Sequence, residues 1–362
     1  MTQNAYIHIP FCKSKCKYCS FISFSELDLK EKYLAALSDE IKYRYKGELL
    51  NTIYIGGGTP SLLTEREAAG IVNAFQTNKE TEITIELNPE NISESYLKNL
   101  KGIGVNRLSF GCQTFDNNIL KYIGRRHSSK DAEMCVEYAH NAGFENISLD
   151  FIYGLPNQTI EMFEKDLKKA ISLNIPHISL YGLKIDSDCF FAKNPPKNLP
   201  DDDIQADMYI KAIEILSENN YEHYEISNFS KKGFNSKHNL NYWKNNSYYG
   251  FGAAAHGYEN GVRYSNYRTI DEYIKNTTKC EYSHRLSEQE RLEEEIFLGF
   301  RKSDGINTEK INNKYNINFD KKYKNVLDKY LSLNYIEKAE NSYKLTLNGV
   351  LVSNVILADF IE

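Results

Sequence analysis

Short runs rich in β-branched and aromatic residues recur along the first two-thirds of this chain, separated by longer stretches with helical spacing. The β-rich runs are YIHI (6–9), TIYI (52–55), EITIEL (82–87), VNRLSF (105–110), NISLDFIY (146–153) and HISLYGL (177–183). Residues 26–45 place Leu27, Tyr33, Leu34, Leu37 and Ile41 near a helical period. Residues 64–76 open on Thr64 with Glu65 and Glu67 behind it, a capping-box pattern, and 93–104 runs from Ser93 to a closing glycine. Further helices suit 129–142, 159–172 and 203–218. Strands joined by crossover helices form a parallel sheet, and right-handed crossovers curl it. The expected fold is α/β, a full or partial barrel, most simply a partial (βα)6 barrel. A doubly wound open sheet is the competitor, disfavoured because no G-x-G-x-x-G follows the first run.

The alternation breaks down near residue 230. Residues 230–268 are rich in glycine, asparagine and aromatics and read as loops and short strands. Residues 286–362 read as a small separate unit, with helices over 287–300 and 319–335, a hairpin over 336–346 and a last helix over 347–361. Helix, helix, hairpin is a winged-helix outline. Three segments are therefore expected: a barrel (1–229), an aromatic, glycine-rich segment (230–285) and a winged-helix-like module (286–362). That module often binds DNA, but fold does not fix function, and this one carries no pronounced basic stripe.

Composition narrows the partners. A chain of 362 residues can bury the core of one large domain and a small one. The net charge of −5 argues against gripping a phosphate backbone, so nucleic acid is not an expected partner. The opening residues lack a basic head followed by an apolar stretch, and no run approaches the roughly 18 apolar residues that span a bilayer. A cytoplasmic protein without a transmembrane segment is expected.

Candidate chemistry gathers just after the strands. Cys12, Cys16 and Cys19 follow the first, GGGTP (56–60) the second; ELNPE (86–90), GCQTF (111–115) and DFIYGLP (150–156) close the next three. In βα barrels this rim carries active sites. Of the seven cysteines, Cys112, Cys135, Cys189 and Cys280 are scattered and read as small buried apolar residues. The other three form C-x3-C-x2-C. A zinc site usually takes four ligands, often as two C-x2-C pairs, and no second pair exists. Three thiolates on one loop suit a [4Fe–4S] cluster, with one iron left open for a small molecule. Lys13, Lys15 and Lys17 alternate with the thiols, either lowering thiol pKa or simply solvating the loop.

Together, YIHIPFCKSKCKYCSF, YIGGGTPS, ELNPE, SFGCQTF, IGRRH, DFIYGLP and YKLTLNGVLVSN resemble the radical S-adenosylmethionine (SAM) superfamily over nearly the whole chain. Within it they resemble the group containing oxygen-independent coproporphyrinogen III oxidase (HemN) and the HemW haem chaperone family. The resemblance implies that Cys12, Cys16 and Cys19 hold the cluster and that SAM chelates the open iron. It implies that Gly57, Gly58 and Thr59 meet the methionine part of SAM. Glu86, Gln113, Arg125 and Asp150 match positions lining the SAM site. Tyr6 matches an aromatic near the cofactor, and Tyr18 packs either on the adenine or in the core.

Three features resemble HemW rather than the oxidase. Phe21 stands where the oxidase carries a further cysteine. Tyr6 nearly begins the chain, whereas the oxidase has a longer leader. HNLNYW (238–243) matches the H-N-x-x-Y-W motif associated with haem binding, which implies haem contacts from His238, Asn239, Tyr242 and Trp243. His256, in GAAAHGY, is a second candidate ligand. The implied function is a haem chaperone carrying a [4Fe–4S] cluster and exchangeable SAM, which passes haem to an acceptor apo-haemoprotein. Delivery to respiratory proteins would allow transient contact with a membrane surface. The alternative is coproporphyrinogen III oxidation, in which reductive cleavage of SAM yields a radical that abstracts hydrogen from a propionate side chain.

Overall fold

The computed structural model describes residues 2–361. Six parallel strands form the centre of a nine-stranded sheet: β1 (Asn4–Ile9), β2 (Thr52–Gly57), β3 (Glu82–Leu87), β4 (Arg107–Gln113), β5 (Asn146–Tyr153) and β6 (His177–Gly182). The crossovers carry α1 (Lys30–Arg44), α2 (Glu65–Val72), α3 (Glu94–Gly102), α4 (Asn117–Tyr122), α5 (Ser129–Asn141) and α6 (Ile160–Ser172). A short α7 (Phe190–Lys193) and a long α8 (Asp202–Glu218) follow. β7 (Glu222–Glu225) and β8 (Asn228–Ser230) extend the β6 edge antiparallel. After α9 (Lys237–Trp243), β9 (Tyr249–Phe251) pairs parallel with β1. The sheet runs β7-β8-β6-β5-β4-β3-β2-β1-β9 and does not close, so the barrel is partial.

Period-two alternation explains both faces of this sheet. Ala5, Ile7 and Ile9, Ile83, Ile85 and Leu87, and Ile147, Leu149 and Phe151 pack under the helices in the main core. The residues between them, including Tyr6, His8, Glu86, Ser148 and Asp150, turn to the concave side. The barrel is thus apolar outside its strands and polar within, unlike barrels whose interior is filled by branched apolar side chains.

Side-chain caps fix the helix starts, at Thr64 and Ser93 as expected. Thr64 and Ser128 make reciprocal capping boxes with Glu67 and Asp131, and Ser93, Thr159 and Asp201 cap α3, α6 and α8. One start and one end differ from the sequence reading. The 26–45 helix begins only at Lys30, after a 3-10 turn, and the 64–76 helix stops at Val72.

Beyond β9, the antiparallel trio β10 (His256–Glu259), β11 (Val262–Ser265) and β12 (Tyr282–Arg285) brackets α10 (Ile270–Lys275). The C-terminal module then runs α11 (Glu288–Gly299), β13 (Ile306–Asn307), α12 (Thr308–Tyr315), α13 (Phe319–Lys322) and α14 (Lys324–Ser332). The hairpin β14 (Ile336–Ala339) and β15 (Ser342–Leu345) completes a three-stranded sheet with β13, the winged-helix order, and α15 (Leu347–Leu351) and α16 (Ser353–Ala358) end the chain. A second core, including Ile296, Phe300, Phe319, Ile356 and Phe360, belongs to this module. The single helices expected over 319–335 and 347–361 are each broken, at Tyr323 and at Val352. Among the described residues no helix is long and apolar enough to cross a membrane.

Candidate functional site

The loop after β1 carries the three thiols. It is held from both sides. Phe11 is fully buried, with its ring edge-on to Tyr33 at 5.3 Å. On the far side Tyr18 packs on a small cluster of Ile119, Ile123, Ile152, Leu155 and Phe191. Backbone bonds from Lys17 N to Ile123 O (3.0 Å) and from Phe191 N to Lys17 O (3.0 Å) pin the middle of the loop.

Cys12, Cys16 and Cys19 border one cavity of about 410 Å3 at the C-terminal end of the strands. Thr59 Oγ1 donates to Cys12 Sγ at 3.3 Å, and Arg125 Nη1 donates to Cys16 Sγ at 3.7 Å. Arg125 is itself fixed by Nη2 donating to Asn88 Oδ1 (2.8 Å) and Gly111 O (2.6 Å). The lysines do not dominate thiol ionisation at Cys19: burial pushes that thiol up to about 11. Lys13 and Lys15 are exposed, and Lys17 lies over the Tyr122 ring at 5.2 Å.

Two glycines at the end of β2 are dictated by contact. A Cβ on Gly57 would meet His8 Nδ1 at 2.5 Å, and its φ of +113° is unfavourable for any other residue. A Cβ on Gly58 would lie 2.8 Å from Phe11 O and 3.0 Å from Cys12 Sγ. The GGGTP turn is therefore pressed directly against the cysteine loop.

Opposite the thiols the cavity wall is acidic. Glu86 Oε1 accepts from Tyr54 OH at 2.7 Å and Oε2 from Gly57 N at 3.1 Å. Burial raises its carboxyl to about 7, with Asp150 nearby adding to the effect. Asp150 is also pushed up by burial, against hydrogen bonds from Ser109 Oγ (2.9 Å) and Ser148 Oγ (3.1 Å). Gln113 adopts φ +68° at a β-bulge beside Gly111, a costly backbone for a non-glycine residue.

These residues fit a thiolate-bound cluster with SAM. The donor set is soft sulfur, and the thiols border a shared volume. Among the described residues no three His, Cys, Asp or Glu side chains converge on one ion-sized point. Two enclosed carboxyl groups face a cavity whose expected ligand carries an ammonium and a sulfonium, and a cationic ligand would relieve their burial.

The structure thus gathers Cys12, Cys16, Cys19, Tyr18, Gly57, Gly58, Thr59, Glu86, Gln113, Arg125 and Asp150 around one cavity. Tyr6 does not line it: its hydroxyl shares a 2.8 Å hydrogen bond with His8 Nδ1, and its ring stacks on Tyr54 at 6.2 Å. Sequence reasoning missed Tyr54, Asn88, Ser109 and Tyr181, which also line the cavity. Alternation within TIYI and NRLSF was the available signal, since it turns Tyr54 and Ser109 inward. Phe21 stands at the mouth, 66% exposed, the third candidate thiol only two residues before it.

The H-N-x-x-Y-W segment lies at the other end of the barrel. It forms α9, capped by Ser236, in a region expected to be loops and short strands. The helix closes the floor under the first residues of three strands. Asn4 Nδ2 donates to Asn241 Oδ1 at 2.8 Å, and Glu82 accepts from the backbone N–H groups of Lys237 and His238, each at 2.9 Å. Thr52 Oγ1 donates to Asn4 Oδ1 (3.0 Å), so the 2.7 Å bond between Thr52 Oγ1 and His238 Nδ1 has the imidazole as donor. His238 Nε2 therefore accepts from Tyr242 OH at 2.8 Å. Both ring nitrogens are engaged, and the residue is 1% exposed. Burial holds its pKa down at about 3. Asn239 donates its backbone N–H to the Ser236 cap, and the Trp243 ring lies under Arg301 at 5.5 Å.

Residues 6–170 match the family described as the radical SAM superfamily, and residues 286–352 match the HemN C-terminal domain. The chain is 38% identical over 368 residues to the heme chaperone HemW of Lactococcus lactis subsp. lactis (strain IL1403), covering 99% of this chain and 97% of that one. It is 38% identical over 375 residues to the heme chaperone HemW of Bacillus subtilis (strain 168), covering 99% of each. Among solved structures, the radical SAM enzyme coproporphyrinogen III oxidase (HemN) from Escherichia coli matches with a TM-score of 0.88 at 22% identity, covering 99% of this chain and 90% of that one. At that identity the likeness establishes the fold.

Proposed function

Because the chain belongs to the HemW family within the radical SAM superfamily, we propose that it is a haem chaperone, binding haem and handing it to an acceptor apo-haemoprotein. In this reading Cys12, Cys16 and Cys19 hold a [4Fe–4S] cluster. SAM occupies the cavity with its cationic portion toward Glu86 and Asp150. Arg125 and Thr59 stabilise the cluster sulfurs by hydrogen bonds. When bound, cluster and SAM together supply one-electron chemistry or, if SAM stays intact, a ligand-responsive element.

The observation that carries the reading is Phe21. An exposed aromatic ring stands at the cavity mouth, where the oxidase resemblance calls for a further thiol. An apolar rim suits a large flat apolar ligand better than added thiol chemistry would. The H-N-x-x-Y-W segment enters as the floor of the barrel. His238 can meet iron only if it leaves Tyr242.

The test is anaerobic. The cluster is reconstituted, haem is titrated while the Soret band is followed, and the same sample is assayed with SAM, reductant and coproporphyrinogen III. Stoichiometric haem binding, transfer to an apo-haemoprotein and no decarboxylated product are expected. Protoporphyrinogen formation without stable haem binding would replace this reading with the oxidase.

A further inference from the structure

The chain has eight histidines. Seven have at least one ring nitrogen in a hydrogen bond. His8, His177 and His238 are bonded through both. His127, His140, His223 and His284 are each bonded through Nε2, to Cys112 O, Leu173 O, Tyr209 and Glu290. Among the described residues His256 alone has both ring nitrogens free, and its side chain is exposed.

His256 opens β10, directly opposite Ser265 on β11, which in turn lies opposite Tyr282 on β12. Residues in register on an antiparallel sheet share a face, so these three side chains stand side by side. Tyr282 is 55% exposed, with its ring stacked near His284 at 6.4 Å and inclined by 29°. Residues 252–255 and 257, flanking the imidazole, are all glycine or alanine, so nothing bulkier than a methyl group adjoins it along the chain. Partial burial, with the charges of Arg263 and exposed Arg268 adding to it, keeps the imidazole below its usual pKa. A neutral imidazole with a free lone pair, a flat aromatic on the same face two strands away across Ser265, and a cation within reach match an iron porphyrin: metal, macrocycle and propionate.

We propose that His256 is an axial ligand of haem iron, with the porphyrin against Tyr282 and a propionate at Arg268. The inference rests on the haem-chaperone reading and deepens it. His256 and Tyr282 are both exposed, so haem on this face stays accessible to an acceptor. The His238 lone pair, by contrast, is capped at the barrel floor.

The test uses the full chain with its cluster reconstituted. Haem is titrated into the wild type, His256→Ala, Tyr282→Ala and Arg268→Gln, with electron paramagnetic resonance and Soret spectra recorded on each. His256→Ala is expected to weaken haem binding at least tenfold and change the axial ligand signature. Added imidazole should restore the signature while far-ultraviolet circular dichroism stays unchanged. Tyr282→Ala and Arg268→Gln should weaken binding several-fold without changing that signature. Wild-type affinity and spectra in His256→Ala, with haem bound normally by the wild type, would overturn the ligand assignment alone. No haem binding by the wild type would overturn the chaperone reading, and the assignment with it.

Discussion

The hydroxyl of Tyr242 is hydrogen-bonded to Nε2 of His238 at 2.8 Å, which occupies the lone pair a histidine would offer to iron. The other nitrogen donates to Thr52, and the Tyr54 ring stacks on the imidazole at 5.0 Å. His238 therefore behaves as a keystone between α9 and the starts of the strands. Replacing it with alanine strands Thr52 and Tyr242 and opens a cavity beside Tyr54. His238→Ala is expected to lower unfolding free energy by about 2–4 kcal/mol, combining roughly 1–3 kcal/mol per unsatisfied buried group with lost packing. Urea denaturation of the cofactor-free protein measures this. An unchanged midpoint would remove the keystone role.

Glu86 provides a pH signature. Its folded carboxyl sits near 7, against an ordinary 4.5, with burial as the main cause. Tyr54, Gly57 N, Asp150 and Arg107 are the groups acting on it. The folded state holds this proton more tightly than the unfolded state. The penalty is absent below about pH 4.5, grows as pH rises toward 7 and is complete above it. Glu86→Gln should therefore leave stability unchanged at pH 4 and raise it at pH 8 by up to about 3 kcal/mol. Thermal melts of wild type and variant at the two pH values test the sign; a constant difference would contradict it.

Gly57→Ala should fail for two separate reasons. The residue needs φ +113°, and the new methyl would sit 2.5 Å from His8 Nδ1. Both act where the GGGTP turn packs on the end of β1, next to the cysteine loop, so SAM affinity should fall by at least tenfold in equilibrium dialysis. Gly70→Ala, with open space at its Cβ position and a helical backbone, should be neutral or stabilising.

Arg125 holds Asn88, Gly111 and Cys16 at once through one planar fork. Lysine keeps the charge but cannot reproduce that geometry. Arg125→Lys is expected to reconstitute less iron and sulfide per chain than wild type, and to lose the visible cluster absorbance faster in air, on the order of several-fold, as when a hydrogen-bond partner of a metal ligand is lost. Equal iron content and equal decay would show that the charge alone suffices.

Much of this architecture was determined by the sequence itself. Strand periodicity, Thr64 and Ser93 as caps, and cysteines and glycines at the ends of strands all act within a few residues, so pattern and spacing expose them. Tertiary structure decided the rest. Glu86, Arg125 and Asp150 come from separate strands and loops, and only the curl of the sheet brings them to one cavity. The floor of the barrel is the clearest case. Nothing near residue 238 tells that Asn4, Thr52 and Glu82, about 150–240 residues earlier, will meet it. Histidine in H-N-x-x-Y-W looks the same in sequence whether its lone pair is free or capped. The hydrogen-bond partners of a buried imidazole are fixed by packing across elements, and that packing leaves His238 engaged and His256 open.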